Sequence, residues 1–139
     1  MTDKKTKPSQ VKKKEVKTPK KTKKNVESGR IYVLAGFNNT MVTITDLKGN
    51  TVVWGSSGAS GFKGTRKATP YAATVTVENV LRKATELGLK EVEVYLKGPG
   101  VGRDAVLRVL RGTGLKINLI ADVTPMPHNG SRPKKKRRV

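Results

Sequence analysis

The stretch Thr69–Gly88, "TPYAATVTVENVLRKATELG", decides the fold. Its middle, "TVTV", is β-branched and suits a strand, whereas its ends are punctuated for a helix. Thr69 offers a hydroxyl N-cap, Pro70 fills the first helical position, where no N–H is needed, and Gly88 supplies the stop. Ala73, Val77, Leu81 and Ala84 recur on one helical face, with Val80 and Leu87 beside them. Caps and length together favour the helix over the strand.

That choice organises both flanks. Upstream, "RIYVLAGF" (30–37) carries apolar residues on both faces, as a central strand does. "NNT" (38–40) breaks it, since asparagine tolerates the left-handed conformation of tight hairpin turns. "MVTITD" alternates Val42 and Ile44 with Thr43 and Thr45 as a half-buried strand. "LKGN" is a second turn and "TVVWG" a third strand. Downstream, "EVEVYL" points Val92, Val94 and Leu96 inward, and "KGPGVG" is a glycine-rich connection. "RDAVLRVLRG" forms a short helix with Val106, Leu107 and Leu110 inward, ended by Gly112, and "LKINLIAD" is the last strand. The order β-β-β-α-β-α-β contains two crossovers that require parallel neighbours with right-handed connections. It predicts an α/β fold: a mixed five-stranded sheet of spatial order 3-2-1-4-5, flanked by helices.

Charge divides the chain differently. The sequence holds 30 Lys+Arg against 10 Asp+Glu, a net +20. Residues 1–24 carry eleven lysines and two acids, and residues 132–139 six basic residues and no acid, so the part between them is only +5. The expected organisation is a lysine-rich disordered tail over 1–28, a globular domain over 29–123 and a basic extension over 124–139. Charge of this density calls for a polyanionic partner, nucleic acid ahead of an anionic membrane surface. Aromatics make up 4% of the residues, which argues against a stacking platform for single-stranded bases. No apolar run reaches the roughly 18 residues of a membrane helix. With no cysteine present, disulfides, thiolate zinc sites and a cysteine nucleophile are all excluded.

Catalysis finds little support in the pattern. A metal nuclease needs converging carboxylates at strand ends, yet Asp46, Asp104 and Asp122 are scattered and read as caps or ion-pair partners. His128 is the single histidine and, without cysteine, builds no metal site. Gly98-Pro-Gly100-Val-Gly102-Arg103 enters a helix whose free N–H groups favour an anion. It lacks the Gly-Lys-Ser/Thr of a phosphate-cradling loop and the spacing of a dinucleotide fingerprint. It therefore reads first as a tight strand-to-helix turn, with a phosphate contact through Arg103 as an addition. No enzyme, cofactor or metal is expected.

The strap "SSGASGFKGTRKATPYAA" (56–73) reads as an RNA contact. Gly58, Gly61 and Gly64 let the backbone approach a phosphate chain. Lys63, Arg66 and Lys67 supply charge, while the Thr69 hydroxyl and the helix start supply donors. "RPKKKRRV" (132–139) looks like a nuclear-localisation run but is taken as an RNA-anchoring tail. A free-standing nucleic-acid-binding protein imported by that run is the alternative reading. The flexible pair Asn129-Gly130 is open to attack of the backbone on the side-chain amide, which predicts isoaspartate there.

Together "FNNT", "VTITD", "GFKGTRKATPYAA", "KGPGVGR" and "DVTPMPHNGSRPKKKRRV" resemble one family, small-subunit ribosomal protein eleven in its bacterial or organellar form, over about 29–139. The resemblance implies a ribonuclease-H-like mixed sheet and a non-catalytic role on the small-subunit platform. There the family bridges ribosomal RNA helices beside the exit-side messenger path and helps form the cleft for the Shine–Dalgarno duplex. Implied partners are small-subunit ribosomal RNA, small-subunit proteins seven and eighteen, and initiation factor three, with mRNA nearby and neither membrane nor homo-oligomer. The implied location is the cytoplasmic ribosome, with an organellar ribosome as the other setting. RNA contact carries over onto Asn38 and Asn39, Lys63, Gly64, Arg66 and Lys67, Arg103, and His128, Asn129, Arg132, Lys134, Lys135, Lys136, Arg137 and Arg138. Two positions depart from the family: Ser131 replaces a cysteine, so the thiol is dispensable, and Lys134 replaces a proline, which loosens the tail and adds charge. The long lysine-rich start is a further departure.

Overall fold

Among the described residues, five strands, two α-helices and a 3-10 turn make up the fold. The computed structural model describes residues 26–132 and 134–135. The tail expected over 1–28 therefore lies outside the described residues up to 25, as do Lys136, Arg137 and Arg138.

The elements are β1 (Ser28–Ala35), β2 (Thr40–Asp46), β3 (Thr51–Ser56), a 3-10 turn (Gly64–Ala68), α1 (Pro70–Thr85), β4 (Glu91–Lys97), α2 (Gly102–Gly112) and β5 (Lys116–Asp122). The sheet order is β3-β2-β1-β4-β5. β1 pairs antiparallel with β2 and parallel with β4, β2 pairs antiparallel with β3, and β4 pairs parallel with β5. The predicted topology and order are thus the observed ones.

The β-branched run stays helical for two reasons. Thr69 caps α1, its Oγ1 accepting from the Ala72 N–H at 3.2 Å. Thr74, Thr76 and Thr85 donate their hydroxyls back to the carbonyls of Pro70, Ala72 and Leu81, so none competes with the ladder unsatisfied. Burial does the rest: Val77, Val80 and Leu81 are enclosed. Each such side chain gains roughly 1.5–3 kcal/mol over exposure, against a helix-propensity deficit of at most about 0.7 kcal/mol per residue.

Those residues meet Ile31, Val33, Val42, Ile44, Val92, Val94 and Leu96 from the sheet and Val106 and Leu110 from α2 in one core. Leu107 and Leu87, expected inward, are only half-buried, while Ala72, Thr76 and Ala105 are buried instead. Both helices pack on the same face of the sheet. β1 is central, as its apolar residues on both faces predicted, with ladders on both edges. Its second apolar side, Tyr32 and Leu34, points to a face left open among the described residues.

On that open face, Arg30 Nε and the Tyr95 hydroxyl both donate to Glu93, at 2.9 and 3.1 Å. These two bonds, Arg30 first, hold the Glu93 carboxyl below its usual range. Tyr32 and Tyr95 stack with ring centroids 5.2 Å apart.

The turns differ in chemistry. In the second hairpin Asp46 accepts from the Asn50 N–H and side-chain amide, and Gly49 takes φ +89°. The first hairpin is instead a four-residue loop closed by the Gly36 N–H donating to the Asn39 carbonyl at 2.9 Å. Asn129 is the single non-glycine residue with positive φ among those described, so Asn38 and Asn39 do not adopt the left-handed conformation expected of them. Four residues close the hairpin without it.

Candidate nucleic-acid interface

Topology gathers the expected contact residues at one end of the sheet. β1 leaves the sheet at Ala35, β3 at Ser56, β4 at Lys97 and β5 at Asp122, and β2 enters at Thr40. Strand register aligns these positions: Ala35 faces Thr40, Leu34 faces Lys97, Met41 faces Ser56 and Leu96 faces Asp122. Both helices start from the same end, at Pro70 and Gly102. The hairpin 36–39, the strap 57–69, the loop 98–101 and the segment from Val123 therefore share it. This is the crevice beyond the carboxyl ends of parallel strands, where α/β sheets receive ligands.

Hydrogen bonds tie these loops to one another. The Ser57 N–H donates to the Thr40 carbonyl at 3.0 Å, and the Gly100 N–H to the Ala35 carbonyl at 2.9 Å. The Gly98 N–H donates to Thr124 Oγ1 at 3.1 Å. Ser57 is fully buried, its hydroxyl within 3.4 Å of both the Thr40 carbonyl and the Thr76 hydroxyl. A serine in a Ser/Gly-rich run reads as solvated, so no sequence signal marked Ser57 as the anchor of the strap.

The strap itself is more ordered than a flexible loop. It turns through Ser57–Gly61, then forms the 3-10 turn that places Lys63, Arg66 and Lys67 ahead of α1. The Thr69 hydroxyl is shared, donating to the Arg66 carbonyl at 2.8 Å while capping α1. Phe62 and Tyr71 meet edge to face at 5.9 Å across the strap. Among the described residues Lys63, Arg66 and Lys67 have no carboxylate partner, because the ion pairs engage Arg30, Lys90, Arg103 and Lys116. A Cβ added at Gly61 or Gly64 would meet nothing within 4 Å, and both have positive φ. Their backbone faces open space.

The second glycine loop behaves oppositely. A Cβ at Gly98 or Gly100 would strike the backbone of Ala35 and Gly36, and one at Gly102 the Thr40 hydroxyl and Ala73. These glycines let the loop and α2 pack against β1, β2 and α1, as the tight-turn reading required. Arg103 is engaged as well, donating to the Gly98 carbonyl at 3.1 Å and to Asp122. It braces this loop against the end of β5.

Asp122 also accepts from the Thr124 hydroxyl and N–H, and these bonds, then that of Arg103, pull its carboxyl from 3.8 to about 2. A depressed folded value adds stability above the unfolded one, lost as pH falls from 3.8 towards 2. Asp122→Asn should therefore melt below the parent at about pH 6, the gap narrowing below 3.8 and mostly closed by about pH 2. Thermal melts at both values check this, and a constant gap would contradict it.

Asp46 sits at the far end of the sheet and Asp122 at the near end, and each is held locally. Among the described residues no cluster of three or more His, Asp or Glu could hold a metal ion. Asn38 is exposed and Asn39 half-buried, with its Oδ1 enclosed and unpaired. His128, Asn129, Arg132, Lys134 and Lys135 are exposed, with Asn129 at φ 56°. Carboxylates collect at the opposite end, where Glu27, Asp46, Glu86 and Glu91 lie.

Comparison with known proteins agrees in one direction. The family described as "Ribosomal protein S11" matches residues 29–138. A curated relative, "Small ribosomal subunit protein uS11" of Borreliella burgdorferi (strain ZS7), is 51% identical over 120 residues, covering 86% of this chain and 92% of its own length.

Proposed function

Because the chain belongs to the ribosomal protein S11 family, we propose that its cationic end seats against several helices of small-subunit ribosomal RNA and bridges them. Membership makes it a ribosomal, rRNA-binding protein of translation, from a family of structural ribosomal proteins rather than enzymes. The bridging site is the small-subunit platform, beside the exit-side messenger path and the Shine–Dalgarno cleft. Its neighbours there are small-subunit proteins seven and eighteen, with initiation factor three as a transient partner.

One observation carries the reading: hairpin, strap, glycine loop and C-terminal segment emerge together at one end, where the strap cations lack carboxylate partners among the described residues. The mechanism is architectural. A packed sheet holds the strap backbone and Lys63, Arg66 and Lys67 at fixed spacing, so the surface fits one arrangement of phosphates. Arg103 contributes by holding the 98–104 loop in place. The basic residues from Arg132 onward neutralise phosphates and release counterions.

Filter binding to a platform fragment of small-subunit ribosomal RNA tests this. If about ten phosphates are neutralised, the log–log slope of affinity against salt is roughly −7 to −9. Equal affinity for unrelated DNA, or a slope near zero, would refute it in favour of a general nucleic-acid binder or a non-binding role.

A further inference from the structure

The sheet face opposite the helices bears an apolar, aromatic surface that RNA contact at the sheet end leaves unused. Tyr32, Leu34, Met41, Trp54 and Leu119 are 40%, 46%, 41%, 60% and 44% exposed, and the half-buried Tyr95 stacks on Tyr32. Register sets Trp54, Thr43, Tyr32, Tyr95 and Ala121 in one cross-strand row, with Met41, Leu34 and Lys97 in the next. Monomeric proteins rarely leave such a contiguous patch uncovered. The parallel part of the sheet, β1-β4-β5, also ordinarily has helices on both faces.

Charge selects the occupant. Two carboxylates stand on this face, Glu93 bonded to Arg30 and Glu91 to Lys116 at 2.8 Å. In a chain of net +20 the face is close to locally balanced, Arg30 and Lys116 being engaged by its two acids, which repel phosphate. Lys97, beside Leu34 at the rim, has no carboxylate partner among the described residues. The chain's own first 25 residues hold eleven lysines and offer no apolar run to cover the patch. A second copy would bring another +20.

We propose that this face docks an amphipathic α-helix of a neighbouring protein in the small subunit, apolar stripe along the Trp54–Tyr95 row and a carboxylate at Lys97. The row crosses five strands, roughly 19 Å at about 4.8 Å per strand. That is the length of about thirteen helical residues. The inference rests on the ribosomal assignment, and the following experiment separates the two.

The chain carrying benzoylphenylalanine in place of Leu34, or of Trp54, is assembled into small subunits, irradiated and analysed by peptide mass spectrometry. Both positions are surface-exposed, so the fold tolerates the replacement. The expected adducts lie at apolar positions of one helix in another subunit protein. Adding Leu34→Asp and Met41→Asp to the Trp54 probe should cut the yield about tenfold or more, with binding to the ribosomal RNA fragment within about twofold, since surface changes away from that contact cost little. Adducts on RNA would mean that bases stack on the face, and would overturn the proposal. Adducts on a loop, adducts on a second copy, or no adduct in assembled subunits would overturn it equally. A chain that never enters subunits would sink the ribosomal reading, and this inference with it.

Discussion

Replacing Lys63, Arg66 and Lys67 together by glutamine should leave the protein folded and strip much of its grip on ribosomal RNA. None of the three has a carboxylate partner among the described residues, so removing their charge orphans nothing inside the protein. Every phosphate left without its cation should flatten the salt slope by roughly one unit, hence about three for the triple variant. At about 0.1 M salt this corresponds to roughly 10²- to 10³-fold in affinity. Paired filter-binding and thermal-melt measurements decide it. A variant with unchanged slope would show that the strap cations face solvent in the complex. The matching change at Arg103 should look different. Arg103 is bonded to Gly98 and Asp122, so Arg103→Gln should lower thermal stability along with affinity.

The second large effect is expected at Gly98, and it acts through the fold. Gly98 combines φ +103° with a Cβ position that would run into the Ala35 carbonyl. Gly98→Val therefore meets two costs, roughly 1–2 kcal/mol for the left-handed backbone and roughly 1–3 kcal/mol for overpacking. Their sum, about 2–5 kcal/mol, should lower the melting temperature by roughly 8 °C or more, at roughly 4–8 °C per kcal/mol for a domain of this size. Gly61→Ala is the control. Its φ is +93° but the space around it is open, so only the backbone cost applies, about 1 kcal/mol. Equal melting of the two variants would overturn the distinction between a packed and an open glycine loop.

That distinction was only partly legible in the sequence. Glycine spacing identified both loops, and the failed nucleotide fingerprint correctly turned 98–104 into a tight turn. Which glycines face backbone and which face solvent depends on the pairing of β1 with β4, and that lies beyond local pattern. Strand order followed from element order, because two crossover helices leave β1 few places except the middle. The helix at 70–85 was readable because its caps outvoted its β-branched middle. Arg103 was read as an added phosphate contact; its ion pair with Asp122, 19 residues away, was not legible because it forms only once β5 is in place.

The open face was less legible. Few aromatics in the composition argued against a stacking platform for single-stranded bases, but gave no hint that the fold brings Tyr32, Trp54 and Tyr95 into one cross-strand row. Composition counts residues, whereas a sheet concentrates them by parity. Of the two apolar sides of "RIYVLAGF", Ile31, Val33 and Ala35 are buried and Tyr32 and Leu34 are left exposed among the described residues.

The gathering of uncompensated cations at one end of the strands has a kinetic consequence. Seven-residue strands set Lys63, Arg66 and Lys67, with no carboxylate partner among the described residues, roughly 20 Å from the end where Glu27 and Glu91 are paired with Lys90 and Lys116. The unpaired positive charge is therefore off-centre, and a polyanion's field exerts a torque on the protein before contact. It should rotate into its productive orientation during diffusion, so encounters that begin badly aligned are still corrected.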